Sequence, residues 1–159
     1  MASVRFEAFV AAAALALGAV AMTAATPAPD TALIVDSGST NTLGYRIEVS
    51  ADGAASISMQ GRSTTASPGP AKAFTVSADT VKKFFADLAA ARSGNVATVP
   101  CMKSASFGTT LHVTWQGWTS PDLSCPPKDQ LGTALVADVD AIRNASGVGP
   151  APLRQAPPP

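Results

Sequence analysis

Asp36 stands where a carboxylate could do chemistry. An apolar run, Leu33-Ile34-Val35, leads into Asp36-Ser37-Gly38-Ser39-Thr40-Asn41. A short strand feeding a glycine turn holds a carboxylate at a fixed point. An aspartate so held can activate a water if a second carboxyl group lies beside it and shares its proton. Without that partner, the same residues make a polar turn in which Asp36 caps its own backbone.

The other candidates are few. His112 is the only histidine. On the polar face of a strand it could serve as a general base or touch a ligand, but no spacing fixes a triad around it. A lone titratable group reads first as a surface residue. Trp115, Trp118 and Tyr45 could stack on a sugar or peptide. Trp115 shares its face with Leu111 and Val113 and reads as core. Trp118 stands in a Gly/Pro-rich stretch, so it is the possible ligand contact, with packing against a disulfide as the alternative. The two cysteines, Cys101 and Cys125, form no Cys-x-x-Cys, and with one histidine they are too few for a zinc site. No phosphate-binding glycine loop is present. No metal and no cofactor is expected.

Composition narrows the setting. The chain has 159 residues, balanced charge and only 14% charged residues. That length suggests one domain. The neutral balance without a basic patch argues against a nucleic-acid partner. Arg5 followed by the apolar run Ala8 to Ala21 reads as an export signal over 1–25, with Ala19-Val20-Ala21 or Thr23-Ala24-Ala25 presenting the cleavage site. The run is short and alanine-rich for a membrane span, so no membrane attachment is expected after cleavage. Residues 26–34 read as a spacer, 35–146 as the folded domain, and 147–159 as a Pro-rich tail expected to be disordered. Export to a secreted or periplasmic setting gives the even cysteine count its meaning: a Cys101–Cys125 disulfide. Such a bridge is worth roughly 3 kcal/mol in the chain-entropy account.

The elements that must position these residues follow from periodicity. Ala32 to Val35 reads as a short strand. Tyr45, Ile47 and Val49 alternate, as do Ala55, Ile57 and Met59. A two-residue Asp52-Gly53 loop would set Val49 against Ser56. A three-residue loop pairs Ile47 with Ile57 and Val49 with Ala55 and puts Gly53 in a left-handed conformation, which the buried-face rule prefers. Gly61 to Pro70 reads as a loop and Ala73 to Val76 as a strand. Ser77 reads as an N-cap for a helix over 78–92, with Val81, Phe84, Phe85 and Leu88 on one face. Phe107, Thr109, Leu111, Val113 and Trp115 share one face of a strand over 107–116, and Gly117 to Pro127 reads as a loop. A last helix, from about 129 to 145, carries Leu131, Leu135, Val139 and Ile142. The order β-β-β-β-α-β-α implies an α+β fold: a small antiparallel sheet with two helices packed on one face and one disulfide.

Residues 33–44 resemble the active-site signature of the aspartic peptidases. The resemblance implies a homodimer in which Asp36 of each chain supplies half of a proton-sharing pair, with Gly38 permitting the turn and Ser37 bonded into the carboxylate network. The chain departs from that family in lacking a second such motif, in the few residues expected before Asp36, and in Gln130-Leu131-Gly132, one apolar residue short of the family's downstream motif. Over 35–145 the layout resembles small exported bacterial proteins of unknown function, through the Tyr45-to-Met59 hairpin, Val81-Lys82-Lys83-Phe84-Phe85, and the late strand and helix. That second resemblance implies a fold and no activity. The expected function is a monomeric, non-catalytic module binding a protein or cell-envelope partner. The alternatives are the homodimeric aspartic peptidase using Asp36 and a secreted peptidase inhibitor.

Overall fold

The early hairpin carries the register on which the rest of the sheet is built. In the computed structural model, which describes residues 30–60, 68–94, 96–104 and 106–148, β2 (Gly44–Ser50) pairs antiparallel with β3 (Ala54–Gln60). Ile47 lies opposite Ile57 and Val49 opposite Ala55, across the three-residue loop 51–53. Gly53 takes φ +90°, and a Cβ there would stand 2.8 Å from the Val76 carbonyl oxygen. Asp52 steadies the loop by accepting the Ala54 N–H at 3.0 Å. The expected signal peptide, residues 26–29 of the spacer, residues 61–67 of the expected loop and the tail from 149 lie outside the described residues.

β1 (Thr31–Asp36) lies at the centre of the sheet. It is antiparallel to β2 on one side and to β5 (Leu111–Trp115) on the other. The strand expected over Ala32 to Val35 is present and runs one residue further at each end, so the folded domain begins before residue 35. Ala32 and Ile34 point into the core and are fully buried, and a core face in a central strand cannot be a linker. β4 (Lys72–Thr75) closes one edge, and β6 (Trp118–Thr119) closes the other. The order is β4-β3-β2-β1-β5-β6, with every pairing antiparallel.

Two expectations about the later chain are corrected. The strand expected over 107–116 begins only at Leu111, and Phe107, assigned to its buried face, is 69% exposed. The reason lies in the preceding backbone. Gly108 N–H turns back to Ser104 O, and Thr109 O is taken by Lys103 Nζ and Ser124 Oγ, so this segment never enters the ladder. The stretch from Gly117, read wholly as loop, instead opens with β6. Gln116 (φ 47°) and Gly117 (φ 78°) make a two-residue turn with both central residues left-handed, the hairpin geometry that matches strand twist. Beyond β6 the outer edge of β5 is capped by side chains. Ser120 Oγ accepts Val113 N–H at 3.0 Å, and Asp122 Oδ1 accepts Leu111 N–H at 3.0 Å. An exposed sheet edge is thereby blocked.

The helices form as their caps and stripes dictate. Ser77 Oγ accepts Thr80 N–H at the start of α1 (Ala78–Ser93), whose Val81, Phe84, Leu88 and Ala91 are buried. Asp129 caps α2 (Gln130–Ala145), accepting Gly132 N–H at 2.6 Å, and Leu135, Val139 and Ile142 are buried. Both stripes join the sheet residues Ala32, Ile34, Ile47, Val49, Ile57 and Val113 in one core. The architecture is therefore α+β, an antiparallel sheet carrying two helices, with a Cys101–Cys125 disulfide.

Candidate functional site

Asp36 ends β1 on the same side of the sheet as the core. Its cross-strand neighbours are Tyr45 and Leu111. Oδ1 accepts Gly38 N–H at 2.8 Å, and Oδ2 accepts the Thr109 hydroxyl at 3.4 Å. The first bond is the two-residues-on cap of an Asx turn. Burial raises the Asp36 pKa above the ordinary value. The Gly38 and Thr109 bonds and the charges of Arg143 and Lys103 oppose that rise without cancelling it. Ser37 extends the β1–β5 ladder: its N–H donates to Thr110 O, and its Oγ accepts Thr110 N–H, both at 2.9 Å. Gly38, at φ +64°, lies so close to Gly44 that a Cβ would sit 2.4 Å from the Gly44 nitrogen. The strand end is thus pinched shut around Asp36. A carboxyl pair does exist in this molecule, at Asp87 and Asp138 between the helices, where Lys83 Nζ bonds to both.

The remaining sequence candidates are dispersed. His112 lies beside Val35 on the face of the sheet away from the core, with Nδ1 3.0 Å from the Ser120 carbonyl oxygen. A proton on Nδ1 makes that contact a hydrogen bond. Trp118 pairs with Trp115 across the β5–β6 turn and packs, partly buried, against the core. Trp115 meets Phe85 edge-on at 5.8 Å. Asp36, His112 and Trp118 therefore do not converge on one site.

A different set does converge, around the disulfide. Residues 97–99 and 126–128 run antiparallel: Val99 N–H donates to Pro126 O at 2.8 Å and Lys128 N–H to Ala97 O at 3.0 Å. Cys101 and Cys125 close this pair with a Cα separation of 5.5 Å. Just beyond, Lys103 Nζ donates to Thr109 O, Asp122 Oδ2 and Ser124 Oγ. Asp122 also accepts the N–H groups of Leu111 and Ser124 and the Ser124 hydroxyl at 2.6 Å. Partial burial works to raise the Asp122 pKa, but those bonds, led by the one from Lys103, hold it well below the usual carboxylate range. Over this network lies a shallow, open depression of about 380 Å³, lined by Met102, Lys103, Ser104, Phe107, Thr109 and Ser124 beside Cys101. Met102 at its rim is fully exposed, and Val99 and Leu43 are exposed elsewhere on the surface.

This arrangement suits contact better than catalysis. A serine activated by a lysine needs an amine free to take its proton. Lys103 is ion-paired to Asp122, and the single Ser124 hydroxyl proton is held between two acceptors, Asp122 Oδ1 at 2.6 Å and Thr109 O at 2.8 Å. The polar network is internally satisfied, and the large apolar side chains of Met102 and Phe107 stand exposed beside it. The alternation along 107–115 assigns Phe107 to the core, and no motif marks Met102. A signal was available: Lys103 lies two residues after Cys101, and Ser124 one before Cys125, so the expected disulfide already brings the two together.

Among the described residues, no group of three or more His, Cys, Asp or Glu side chains could hold a metal, and no helix is long and apolar enough to cross a membrane. No family model, no curated protein and no solved structure matches the chain.

Proposed function

We propose that this chain is an exported, non-catalytic binding module that takes an apolar segment of a protein partner at the ledge beside its disulfide. One observation carries the reading: Met102 and Phe107 stand exposed at the rim of an open depression whose polar floor is already hydrogen-bonded. Large apolar side chains held in water on a braced loop favour a partner that removes them from it. The floor offers a newcomer few free donors, so the affinity must come from apolar contact. The export signal and the oxidised cysteine pair agree with a secreted or periplasmic setting.

The test is a peptide-display selection on the purified protein and on a Met102→Ser, Phe107→Ser double variant. The expected result is an apolar consensus on the parent protein that is lost on a variant of unchanged melting temperature. Removal of two such anchors typically costs at least about 2 kcal/mol, or some thirtyfold in affinity. Selection of the same peptides by both proteins would sink the assignment of the ledge.

A further inference from the structure

The seam between α1 and α2 contains a charge arrangement that the fold alone does not require. Lys83 Nζ lies 2.8 Å from Asp87 Oδ2 on its own helix and 2.7 Å from Asp138 Oδ1 across the seam. One ammonium therefore faces two carboxyl groups. Asp138 is only 4% exposed, and its other oxygen, Oδ2, is buried without a hydrogen-bond partner. A buried acceptor left without a donor costs free energy. Lys83 Nζ reaches both carboxyl groups within 2.8 Å, so those of Asp87 and Asp138 stand side by side around one ammonium. Two carboxyl groups can bond to each other only through a proton.

We infer that Asp138 and Asp87 share one proton on acidification, with Lys83 balancing the remaining charge, so that the α1–α2 seam is a pH-operated clamp that tightens as the first proton binds. The charged groups acting on Asp138 are Lys83 and Asp87, both from α1. Burial, then the neighbouring Asp87, raises the Asp138 pKa against the opposing pull of Lys83. Burial also works to raise Asp87, but the bonds from Lys83 and Asp138 outweigh it and leave Asp87 below the ordinary value. The folded chain thus binds the first proton more tightly than the unfolded chain does, and stability rises as pH falls through the elevated Asp138 value. Stability is lost again only on further acidification, as the depressed Asp87 is forced to take a proton of its own. The clamp is strongest between those two steps.

The test is carbon NMR of the aspartate carboxyl groups in the full chain from about pH 2 to 7, spanning the carboxylate range. Asp138 should titrate above the exposed aspartates, and Asp87 below them. Asp87→Asn supplies a permanent donor and should lower the Asp138 midpoint by about one pH unit, a tenfold change in proton affinity. Asp138→Asn should flatten the acid-side rise in stability seen by urea unfolding. An Asp138 signal that titrates with the exposed aspartates in the unmodified protein overturns the clamp, and so does one indifferent to Asp87→Asn. The titration of the unmodified chain decides the matter even if a variant does not fold.

Discussion

At position 36 two local effects pull against each other. The turn asks for an acceptor two residues before Gly38, and Asp36 supplies it. The surrounding burial disfavours the charge that comes with that acceptor. Because the folded-state pKa is raised, the ionised side chain weighs against the fold at neutral pH, and that cost is relieved as pH falls through the raised value. Asparagine keeps the acceptor and removes the charge. Asp36→Asn is therefore expected to leave stability at neutral pH within about 0.5 kcal/mol of the parent or above it, with a weaker pH dependence. Asp36→Ala removes an acceptor from both Gly38 N–H and the Thr109 hydroxyl and should cost about 1–2 kcal/mol. Urea unfolding at neutral and mildly acidic pH measures both. A large loss in Asp36→Asn would mean that the negative charge itself is needed at this strand end. Asp122 is the opposite case, since its charge is met by Lys103 and by two backbone N–H groups.

At the scale of elements, the β2–β3 hairpin is the part in which every local preference agrees. Gly53 is its hinge. Its φ of +90° disfavours any side chain, and its carbonyl accepts Val76 N–H at 3.0 Å while a Cβ would press on the Val76 carbonyl oxygen. Gly53→Ala should cost about 2 kcal/mol or more in urea unfolding. Gly53→Asn separates the causes. Asparagine tolerates positive φ better than alanine, but its Cβ meets the same backbone, so little rescue is expected. Full rescue would show that φ alone limits this site. The hairpin was legible in the sequence because alternation, turn length and glycine placement select one register. Both helices were legible from their apolar stripes, the first also from its Ser77 cap, whereas Asp129, where the last helix was expected to begin, is the residue that caps it. The start of β5 was not: Phe107 continues the alternation that Leu111, Val113 and Trp115 establish, and only the long-range capture of Thr109 O by Lys103 takes it out of the strand. The candidate site was hidden for the same reason. Met102, Phe107 and Ser124 form no motif in one dimension and are gathered by a disulfide and an ion pair between distant segments.

Across the whole molecule, three separate devices hold the segment entering β5 against the segment entering α2. They are the short antiparallel pairing of 97–99 with 126–128, the Cys101–Cys125 bridge, and the Lys103–Asp122–Ser124 network. Asp129 adds a fourth link by accepting Ala97 N–H at 3.3 Å while it caps α2. The hydrophobic core lies elsewhere, between the helices and one face of the sheet. Loss of the disulfide should therefore loosen the ledge without dissolving the fold. The bridge spans a sequence separation of 24, for which the chain-entropy account gives about 3 kcal/mol. The Cys101→Ser, Cys125→Ser double variant should lose about that much in urea unfolding and keep its far-ultraviolet circular dichroism. Amide exchange should quicken most over 101–109 and 120–128, the stretches braced by the bridge. The native protein should show no titratable thiol until it is unfolded and reduced. If exchange instead quickened evenly through α1, α2 and the central strands, the disulfide would be holding the core itself. Met102 and Phe107 would then have to be read as the frayed edge of a weakly packed domain, not as side chains displayed on a braced ledge.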